Sequence, residues 1–460
     1  MKDLPFSDKL GEECGVLGFY DNDGFDVARM LYYGMFGLQH RGQESCGIVT
    51  NDDAHLHQIK DKGLVGEVFN DVNLATLTGN IGVAHVRYAM ESDLRENAQP
   101  IVSRYCKGSL TLAHNGNITN AASLREELES RGAIFQTTSG VEVIMHLIAI
   151  ERTKTHSVEA AVLNVMKQIE GAYSMVLMSP RKLLGVRDPQ GFRPLCIGKI
   201  KNSYVLASES VALDTMRAEF VRDVEPGEVV LIEGNKLTSI KDNCGKKPSL
   251  CIFEYIYFAR PDSVIDKVSV YNTRIEVGKL LAKAHPVKAD VVIGVPDSGL
   301  HFAQGFAQAS KIPYGEGLIR NRYSGRTFIK QTQKERELAV NLKLNPLRAN
   351  IEGKSVVMVD DSIVRGTTMA NLVKLLKDNG AKQVHIRIGS PPFLWPCYFG
   401  TDIPSKKDLI ANKYNTEEIC KKLGADSLGF LPLDDLQNIG VRKDFGYCSA
   451  CFTGDYPVSI

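Results

Sequence analysis

A short run of apolar, mostly β-branched residues followed directly by two carboxylates restricts the fold of this chain more than any other feature. The run covers residues 356–359, and a second run of the same kind covers residues 291–295. Such runs are typical of parallel strands that are buried on both faces. A loop follows the first run, then residues 368–379 place leucine and valine on one helical face, and residues 384–388 form another apolar run. This β-α-β order predicts a doubly wound α/β sheet in the second half of the chain.

The loop between that strand and that helix suits a phosphorylated sugar. Asp360 and Asp361 stand at the carboxyl end of the strand, where ligands bind in parallel sheets. These carboxylates suit two ribose hydroxyls or a Mg²⁺ ion, and the turn behind them offers N–H groups, hydroxyls and a helix N-terminus to a phosphate. The residues that carry the phosphate prediction are Ser362, Ile363, Val364, Arg365, Gly366, Thr367 and Thr368. For an Asp-Asp pair taken alone, the alternative is a capped helix start with two surface aspartates.

Residues 356–368 resemble the phosphoribosyl pyrophosphate (PRPP) signature of type I phosphoribosyltransferases. Residues 294–299 resemble the second loop of that family, which contacts pyrophosphate, and residues 321–329 resemble its mobile loop, which closes over PRPP. The resemblance implies that PRPP contacts Asp297, Ser298, Asp360 and Asp361. It also implies a Mg²⁺ ion at Ser298, Asp360 and Asp361.

The first half of the chain has a different character, with short apolar runs interrupted by Gly, Asn and Asp. Residues 82–88 and 110–114 predict strands, and residues 121–131, 141–151 and 157–169 have helical periodicity. The pattern predicts an α+β domain with much antiparallel sheet. Cys14 precedes the short segment 15–18. A cysteine beside an apolar strand is commonly a small core residue, and this alternative stays open for Cys14 taken alone.

Three polar segments, residues 40–45, 85–89 and 114–117, resemble class II glutamine amidotransferases, which have the N-terminal-nucleophile (Ntn) fold. The resemblance implies glutamine as a substrate and Cys14 as the nucleophile. Removal of a propeptide, residues 1–13, would leave Cys14 with a free α-amine that serves as the base. Asn115 and the N–H of Gly116 would stabilise the oxyanion, and Arg87 would bind the glutamine α-carboxylate.

Both halves together resemble one family, the glutamine PRPP amidotransferases, over nearly all of residues 14–456. The family implies that ammonia released from glutamine displaces pyrophosphate from PRPP and gives 5-phosphoribosylamine, the first step of purine synthesis. The polar segment 233–249 is the candidate boundary between domains. We therefore expect an Ntn glutaminase domain at 14–240 and a phosphoribosyltransferase domain at 250–460.

Ten cysteines in a chain without a signal peptide suggest metal binding or a reactive thiol rather than disulfides. Cys448 and Cys451, taken alone, suit a zinc half-site, a redox pair or coincidence. In the cluster-bearing branch of the family four thiolates hold a [4Fe–4S] cluster, and the resemblance places them at Cys251, Cys397, Cys448 and Cys451. The five cysteines without a motif are interpreted as packing residues: Cys46, Cys106, Cys196, Cys244 and Cys420.

Two positions depart from the family pattern in the glutaminase half. Met90 replaces a threonine next to the bound glutamine, and Gly140 replaces the aspartate that binds the glutamine α-amino group. Loss of a desolvated ion pair costs about 2–5 kcal/mol. Two alternatives to the bifunctional enzyme follow, an ammonia-dependent transferase with an impaired glutaminase half and a non-catalytic PRPP sensor.

Charge and hydropathy exclude several other classes. The 460 residues include 55 basic and 54 acidic side chains, so the net charge of +1 indicates neither a nucleic-acid nor a membrane-surface binder. No apolar run reaches the roughly 18 residues of a transmembrane helix. The N-terminus lacks the apolar stretch of a signal peptide, so we expect a cytoplasmic protein. The resemblance further implies a homodimer or homotetramer and purine nucleotides as feedback inhibitors.

Overall fold

Two antiparallel sheets form the first half of the protein. The computed structural model describes residues 14–88, 95–321, 344–401, 403, 405–439 and 445–458. The strands of the first half are β1 Gly15–Tyr20, β2 Ser45–Asp52, β3 His55–Lys62, β4 Ile81–Arg87, β5 Ile101–Tyr105, β6 Gly108–Ile118, β7 Gly171–Met178, β8 Leu183–Arg187, β9 Cys196–Ile200, β10 Ser203–Ala207, β11 Glu219–Asp223, β12 Val229–Glu233 and β13 Lys236–Ile240. They form a seven-stranded sheet, in the order β11-β9-β10-β1-β4-β2-β3, and a six-stranded sheet, in the order β13-β12-β8-β7-β6-β5.

Helices cover the outer faces of these sheets, so the first half has four layers. The helices are α1 Val27–Leu38, α2 Val65–Val68, α3 Asp71–Leu74, α4 Ala121–Ser130, α5 Gly140–Lys154, α6 Val158–Val165 and α7 Ser210–Met216. One apolar core lies between the two sheets, where Val16 and Val176 are both fully buried. Helices α1 and α7 pack on the outside of the seven-stranded sheet, and α5 and α6 pack on the outside of the six-stranded sheet. The central strands are therefore covered on both sides, which explains the absence of strict polar alternation in β1 and β7.

The second half is built on a parallel sheet with helices on both faces. Its strands are β14 Leu250–Cys251, β15 Val264–Ile265, β16 Val268–Ser269, β17 Val291–Gly294, β18 Leu318–Arg320, β19 Leu344–Pro346, β20 Ser355–Asp360, β21 Gln383–Ile388, β22 Ser427–Phe430 and β23 Tyr447–Cys448. Its helices are α8 Val270–Ala284, α9 Leu300–Ser310, α10 Arg348–Ile351, α11 Thr367–Asp378, α12 Thr416–Leu423 and α13 Ala450–Thr453. The main sheet has the order β17-β20-β21-β22 with every pair parallel.

Alternate residues of the central strands point into two different cores. Val357 and Val359 pack with α8 and α9 on one face, whereas Val356 and Met358 pack with α11 on the other. This two-sided burial is the physical reason for the uninterrupted apolar runs in the sequence.

The two halves share a buried interface. Arg187, at the end of β8, forms two hydrogen bonds to the carboxylate of Asp266 in the second half, at 2.9 and 2.7 Å. The backbone N–H of Cys251 donates to the carbonyl of Phe192 at 3.1 Å. Both side chains of the Arg187–Asp266 pair are buried, so the two halves are in direct contact there, away from solvent.

The structure changes three details of the sequence prediction. The segment 233–249 contains strand β13, which pairs with β12, so only residues 241–249 connect the sheets of the two halves. Helix α11 begins at Thr367, one residue before the predicted start. Cys106 is exposed in the turn between β5 and β6 and is not a packing residue. Within the described ranges, no helix combines the length and the apolar character needed to cross a membrane.

Candidate functional site

The candidate nucleophile lies at one end of the seven-stranded sheet. Cys14 immediately precedes β1, and Gly15 pairs with Val86 on the neighbouring antiparallel strand β4. Arg87 ends β4, so Cys14 and Arg87 lie at the same sheet end. The guanidinium Nε of Arg41 donates to the carbonyl oxygen of Cys14 at 3.1 Å and fixes the backbone at this position. Residues 1–13 lie outside the described residues.

A buried amide on β6 has the properties of an oxyanion-stabilising group. The side chain of Asn115 is fully buried, yet neither its nitrogen nor its oxygen has a hydrogen-bond partner among the described residues. Such orphaned groups are rare in folded proteins because each costs about 1–3 kcal/mol. The next residue, Gly116, has φ +127°, and a Cβ there would lie 2.1 Å from the carbonyl oxygen of Ala172. Only glycine fits this position.

The side chain of Arg87 is held by a loop that also contacts the residues around position 140. Nη1 of Arg87 donates to the carbonyl of Asn97. The amide of Asn97 donates to the hydroxyl of Thr138 at 2.9 Å, and the N–H of Thr138 donates back to Asn97 at 3.1 Å. The candidate carboxylate-binding arginine is thus linked through two residues to the start of α5.

Among the described residues around position 140, no carboxylate replaces the missing aspartate. Gly140 is the first residue of α5, and a Cβ there would lie 3.4 Å from Cβ of Ala121, an ordinary contact. The glycine is therefore not required by packing. Glu142 is buried and accepts hydrogen bonds from the N–H groups of Gln136 and Thr137 at 2.9 and 2.7 Å. It stabilises its own loop, and this engagement argues against Glu142 as the substitute. Met90 lies outside the described residues.

Two buried histidines beside this site are neutral near pH 7. Burial, with the nearby charge of Arg87 as a second cause, lowers the pKa of His85 and of His114 to about 3. The ring Nε2 of His85 lies 3.0 Å from the carbonyl oxygen of His114, so Nε2 carries the proton and donates it. The neutral rings therefore support the strand that carries Asn115 without adding charge to the site.

The second candidate site lies at the carboxyl ends of β17 and β20. Asp360 and Asp361 are both buried. The hydroxyl of Ser298 donates to Asp360 at 3.3 Å, and the hydroxyl of Ser362 donates to Asp361 at 2.5 Å. Gly299 allows the loop after β17 to pack on β20, because a Cβ there would lie 2.3 Å from the carbonyl oxygen of Val359. The fold thus brings Ser298, which the resemblance groups with the two aspartates, into contact with Asp360.

The predicted phosphate loop surrounds the start of α11. Gly366 is the residue before the helix and has φ +87°. Ile363 and Val364 are predicted site residues, but their side chains are buried in the apolar cores. Only the backbone N–H groups of these two residues are suited to a phosphate. The side chains of Arg365, Thr367 and Thr368 are not buried.

Asp297 behaves differently from the other predicted residues. Its exposed carboxylate forms an ion pair with Arg320, at the end of β18, rather than a contact with Asp360 or Asp361. Arg320 stands just before residues 321–329, the predicted mobile loop. Only Asn321 of that loop belongs to the described residues.

Four cysteines that are distant in sequence meet at the end of the second half. Cys251 pairs with Cys448 across the parallel strands β14 and β23, and the N–H of Phe399 donates to Sγ of Cys397 at 3.4 Å. Burial raises the pKa of Cys451, with further contributions from the other three thiols, and burial raises the pKa of Cys448 to about 12. Cys251, Cys397 and Cys451 pack against the same buried apolar cluster, and Cys397 also packs against the smaller cluster that contains Cys448, so the four thiols are neighbours.

The candidate ligands suit a [4Fe–4S] cluster at the four cysteines and a Mg²⁺ ion at the two aspartates. Among the residues that the structure describes, no three His, Cys, Asp or Glu side chains converge on a single metal-ion position. A [4Fe–4S] cluster, however, takes one thiolate on each of four irons, so its ligands surround a volume rather than a point. Mg²⁺ is commonly held by one or two carboxylates together with substrate phosphates and water, which Asp360 and Asp361 can provide.

Comparison with known proteins decides the family. Two family models match the chain, a glutamine amidotransferase domain over residues 85–215 and a phosphoribosyl transferase domain over residues 270–388. The amidophosphoribosyltransferase of Methanocaldococcus jannaschii is 48% identical to this chain, over 97% of this chain and 98% of its own length. The chain belongs to the amidophosphoribosyltransferase family. The Bacillus subtilis member is 45% identical, over 98% of this chain and 95% of its own length.

Solved structures of this family have the same fold. Glutamine PRPP amidotransferase from B. subtilis, complexed with ADP and GMP, matches with a TM-score of 0.91 at 44% identity, over 96% of this chain and 97% of that one. A structure described as the allosteric regulatory enzyme of purine biosynthesis matches with a TM-score of 0.92 at 44% identity, over 97% of both chains. These matches confirm the predicted family and fold class, an Ntn glutaminase domain followed by a phosphoribosyltransferase domain. The chain is therefore an enzyme, a transferase of purine biosynthesis.

Sequence reasoning missed a buried ionic cluster between the two halves of this family member. Arg41 of the first half pairs with Glu254 of the second at 2.8 Å and also with Glu209. Glu209 in turn accepts hydrogen bonds from the hydroxyl of Ser263 at 2.6 Å and from the N–H of Arg260 at 3.0 Å. Glu254 is the lone acidic residue in the apolar residues 250–258, and this was the available signal, because buried carboxylates are almost always paired.

Proposed function

We propose that this enzyme forms 5-phosphoribosylamine from PRPP with ammonia that its own first half releases from glutamine. The observation that carries glutamine use is the buried amide of Asn115 beside Gly116, which has no hydrogen-bond partner in the part of the chain that the structure describes. A fold keeps such a group when it acquires a partner during the reaction, and a tetrahedral oxyanion is a partner of the right charge.

The proposed glutaminase step uses the residues at the end of β1, β4 and β6. Arg87 binds the α-carboxylate of glutamine, and the thiol of Cys14 attacks the side-chain amide carbon after its proton passes to the free α-amine. Asn115 and the N–H of Gly116 stabilise the oxyanion. The protonated α-amine then gives its proton to the leaving nitrogen as the C–N bond breaks, ammonia leaves, and water hydrolyses the thioester to glutamate and free enzyme. This scheme requires removal of residues 1–13 as a propeptide.

The proposed transferase step takes place at the carboxyl ends of β17 and β20. Asp360 and Asp361 hold the ribose hydroxyls of PRPP, and residues 362–368 hold its 5-phosphate with backbone N–H groups and hydroxyls. Ammonia, delivered through the interior between the two halves, attacks C1 of the ribose, and the bond from C1 to pyrophosphate breaks. Mg²⁺ bound at Ser298, Asp360 and Asp361 would neutralise charge on the leaving pyrophosphate. Asp297 contacts the pyrophosphate side of the substrate once its ion pair with Arg320 opens.

A structural [4Fe–4S] cluster completes the proposal. Cys251, Cys397, Cys448 and Cys451 would bind it, and it would contribute stability rather than electrons because no step of the reaction is a redox step. Two of these thiols have raised pKa values, so cluster binding would release protons.

The same proposal includes the organisation and control of the enzyme. We expect domains at 14–240 and 250–460, cytoplasmic localisation, a homodimer or homotetramer, and feedback inhibition by purine nucleotides. ADP and GMP are bound in the solved B. subtilis relative, and this supports the regulatory part.

A second candidate function is an ammonia-dependent transferase with an impaired glutaminase half. It is favoured by Gly140, which offers no carboxylate to an α-ammonium group, and by Glu142, whose carboxylate is used by its own loop. Family membership weighs against the third alternative, a PRPP sensor without catalysis.

The deciding experiment is PRPP-dependent pyrophosphate release with glutamine or ammonium as the nitrogen donor, in enzyme purified without oxygen. Mass spectrometry first establishes whether Cys14 is the mature N-terminus. Release with both donors supports the bifunctional enzyme, and Cys14→Ala is then expected to remove only the glutamine-dependent rate. Release with ammonium alone supports the second candidate. Release with neither donor contradicts both.

A further inference from the structure

A short segment of the second half lies directly on the strand that carries the candidate oxyanion hole. The segment consists of Tyr398, Phe399 and Gly400 and is called the 398–400 segment below. The amide of Asn117, on β6, donates to the carbonyl of Tyr398 at 2.9 Å. A guanidinium nitrogen of Arg193 donates to the carbonyl of Phe399 at 2.6 Å. Two side chains of the first half therefore hold two successive carbonyls of the second.

Gly400 allows the main chain of the 398–400 segment to pack closely against the main chain of Gly116. Its φ is +115°, and a Cβ added there would lie 3.2 Å from both Cα and the carbonyl carbon of Gly116. This separation would be shorter than an ordinary van der Waals contact, so Gly400 leaves no room for a side chain between its own main chain and that of Gly116. Gly116 is the residue whose N–H the proposed glutaminase uses.

Phe399 anchors the segment between the halves. Its ring stacks on that of Phe192, with ring centroids 4.4 Å apart and an interplanar angle of 22°. Both rings are buried in one cluster with Ala172 and Cys448. Ala172 pairs with Asn117 across β7 and β6, so the anchor supports the same stretch of β6 from its neighbouring strand.

We propose that the 398–400 segment is a positioning element for the glutaminase, which fixes where the N–H of Gly116 points. The glutaminase site is then complete only when the second half is in place, although every residue assigned to its chemistry belongs to the first. This inference rests on the proposed glutaminase function and adds to it a residue outside the domain that performs the chemistry. Gly400 acts through Gly116 and touches no substrate.

The test compares two glycine-to-alanine variants in the full chain. Gly400→Ala presses a methyl group on the main chain of Gly116 and on the guanidinium of Arg193, each 3.2 Å from the added Cβ. Gly245→Ala is the matched control, because Gly245 has a similar φ of +103° but nothing within 4 Å of an added Cβ. Both variants carry similar backbone strain, and only one contacts β6. Asn117→Ala, which removes the hydrogen bond to Tyr398 without strain, serves as the milder variant if Gly400→Ala does not fold.

Three readouts separate a positioning role from a general structural role. Displacement of an oxyanion donor by a fraction of an ångström is expected to lower the glutamine kcat of Gly400→Ala about tenfold and to leave KM within about twofold. Alkylation of Cys14 by iodoacetamide forms no oxyanion, so its rate is expected to stay unchanged. Hydrogen exchange in residues 114–119 is expected to accelerate in Gly400→Ala and not in Gly245→Ala.

The results that would contradict the positioning role of the 398–400 segment differ from those that would contradict the glutaminase function. Equal kcat values and equal exchange in the two variants would overturn it. Parallel losses of alkylation and glutaminase rate would also overturn it, since they would show that the nucleophile itself is disturbed. If the unmodified enzyme hydrolyses no glutamine, the proposed glutaminase function fails, and the exchange comparison alone decides whether the segment holds β6.

Discussion

At the scale of single residues, the proposed glutaminase chemistry depends on the amide of Asn115, which lacks a hydrogen-bond partner among the described residues. We expect Asn115→Ala to lower the glutamine-dependent kcat by about 10²–10³, the usual effect of removing one oxyanion donor. The ammonium-dependent rate should stay unchanged, because it bypasses this site. Steady-state kinetics with both donors measures the difference. An equal loss with both donors would instead indicate a folding defect.

Position 140 offers a gain-of-function prediction. Space for a Cβ is available there, and an acidic residue in the first turn of a helix is favourable. Gly140→Asp is therefore expected to fold and to lower the KM for glutamine at least tenfold, by an ion pair with the α-ammonium group of about 2 kcal/mol or more. Gly140→Asn has the same shape without the charge and is the control. If both variants lower KM equally, shape and not charge is responsible.

Resemblance to class II glutamine amidotransferases pointed to these positions, because the segments that carry the resemblance are short and local. Asn115 and Gly116 are adjacent in sequence, and the strained φ of the second is a property that glycine reveals directly. The partners of Glu142 were not predictable, because its hydrogen bonds depend on how the loop at residues 136 and 137 folds back on α5. Equally, the sequence did not show that Ile363 and Val364 bury their side chains.

At the scale of elements, strands buried on both faces were predictable and exposed strands were not. Strands β17 and β20 consist almost entirely of apolar residues because helices cover both sides. Strand β13 has no fully buried residue, and its polar residues made it look like part of a linker. Strands could therefore be predicted from the sequence where they are buried, and helices could be predicted from the spacing of their apolar residues.

The buried carboxylate of Glu209 joins the start of α7 to residues 260–263 of the second half. Burial opposes its ionisation, but His40 and Arg41 hold its pKa well below the usual range. A lowered folded-state pKa stabilises the fold above about pH 4.5, the unfolded value, and this contribution is lost as the pH falls below that point. We expect Glu209→Gln to be destabilised by about 3–5 kcal/mol at pH 7, and by less at pH 4, in urea unfolding.

Glu228→Gln is the matched control for that prediction. Glu228 is also buried, and its ion pair with Arg222 at 2.7 Å stays within the first half. Both variants should lose stability. Only Glu209→Gln should raise the number of glutamines hydrolysed per pyrophosphate released, because only it loosens the interface. An unchanged ratio in Glu209→Gln would show that the cluster is structural alone.

At the scale of the whole molecule, the contacts between the two halves could not be predicted from the sequence. Arg41 and Glu254, or Gly116 and Gly400, are separated by more than 200 residues, and no local pattern pairs them. Family resemblance identified both halves, and only the structure shows that the C-terminal half contacts the oxyanion strand of the other. The cysteine group lies at the base of that contact, since Cys397 immediately precedes the 398–400 segment.

Removal of the proposed cluster should therefore affect glutamine use before ammonia use. Loss of the iron–sulfur cluster would free Cys397, whose Sγ accepts a hydrogen bond from the N–H of Phe399. The buried apolar side chains that hold Phe399 against Phe192 would then loosen. Partial iron removal by an oxidant and a chelator, followed by both activity measurements and by hydrogen exchange in residues 114–119, tests this order. As iron is removed, we expect hydrogen exchange in residues 114–119 to accelerate and the glutamine-dependent rate to fall in parallel. The ammonium-dependent rate should decline only at a later stage of iron removal. A parallel decline of both rates would contradict this order. It would mean that the cysteine group supports the second half as a whole rather than the contact with β6 in particular.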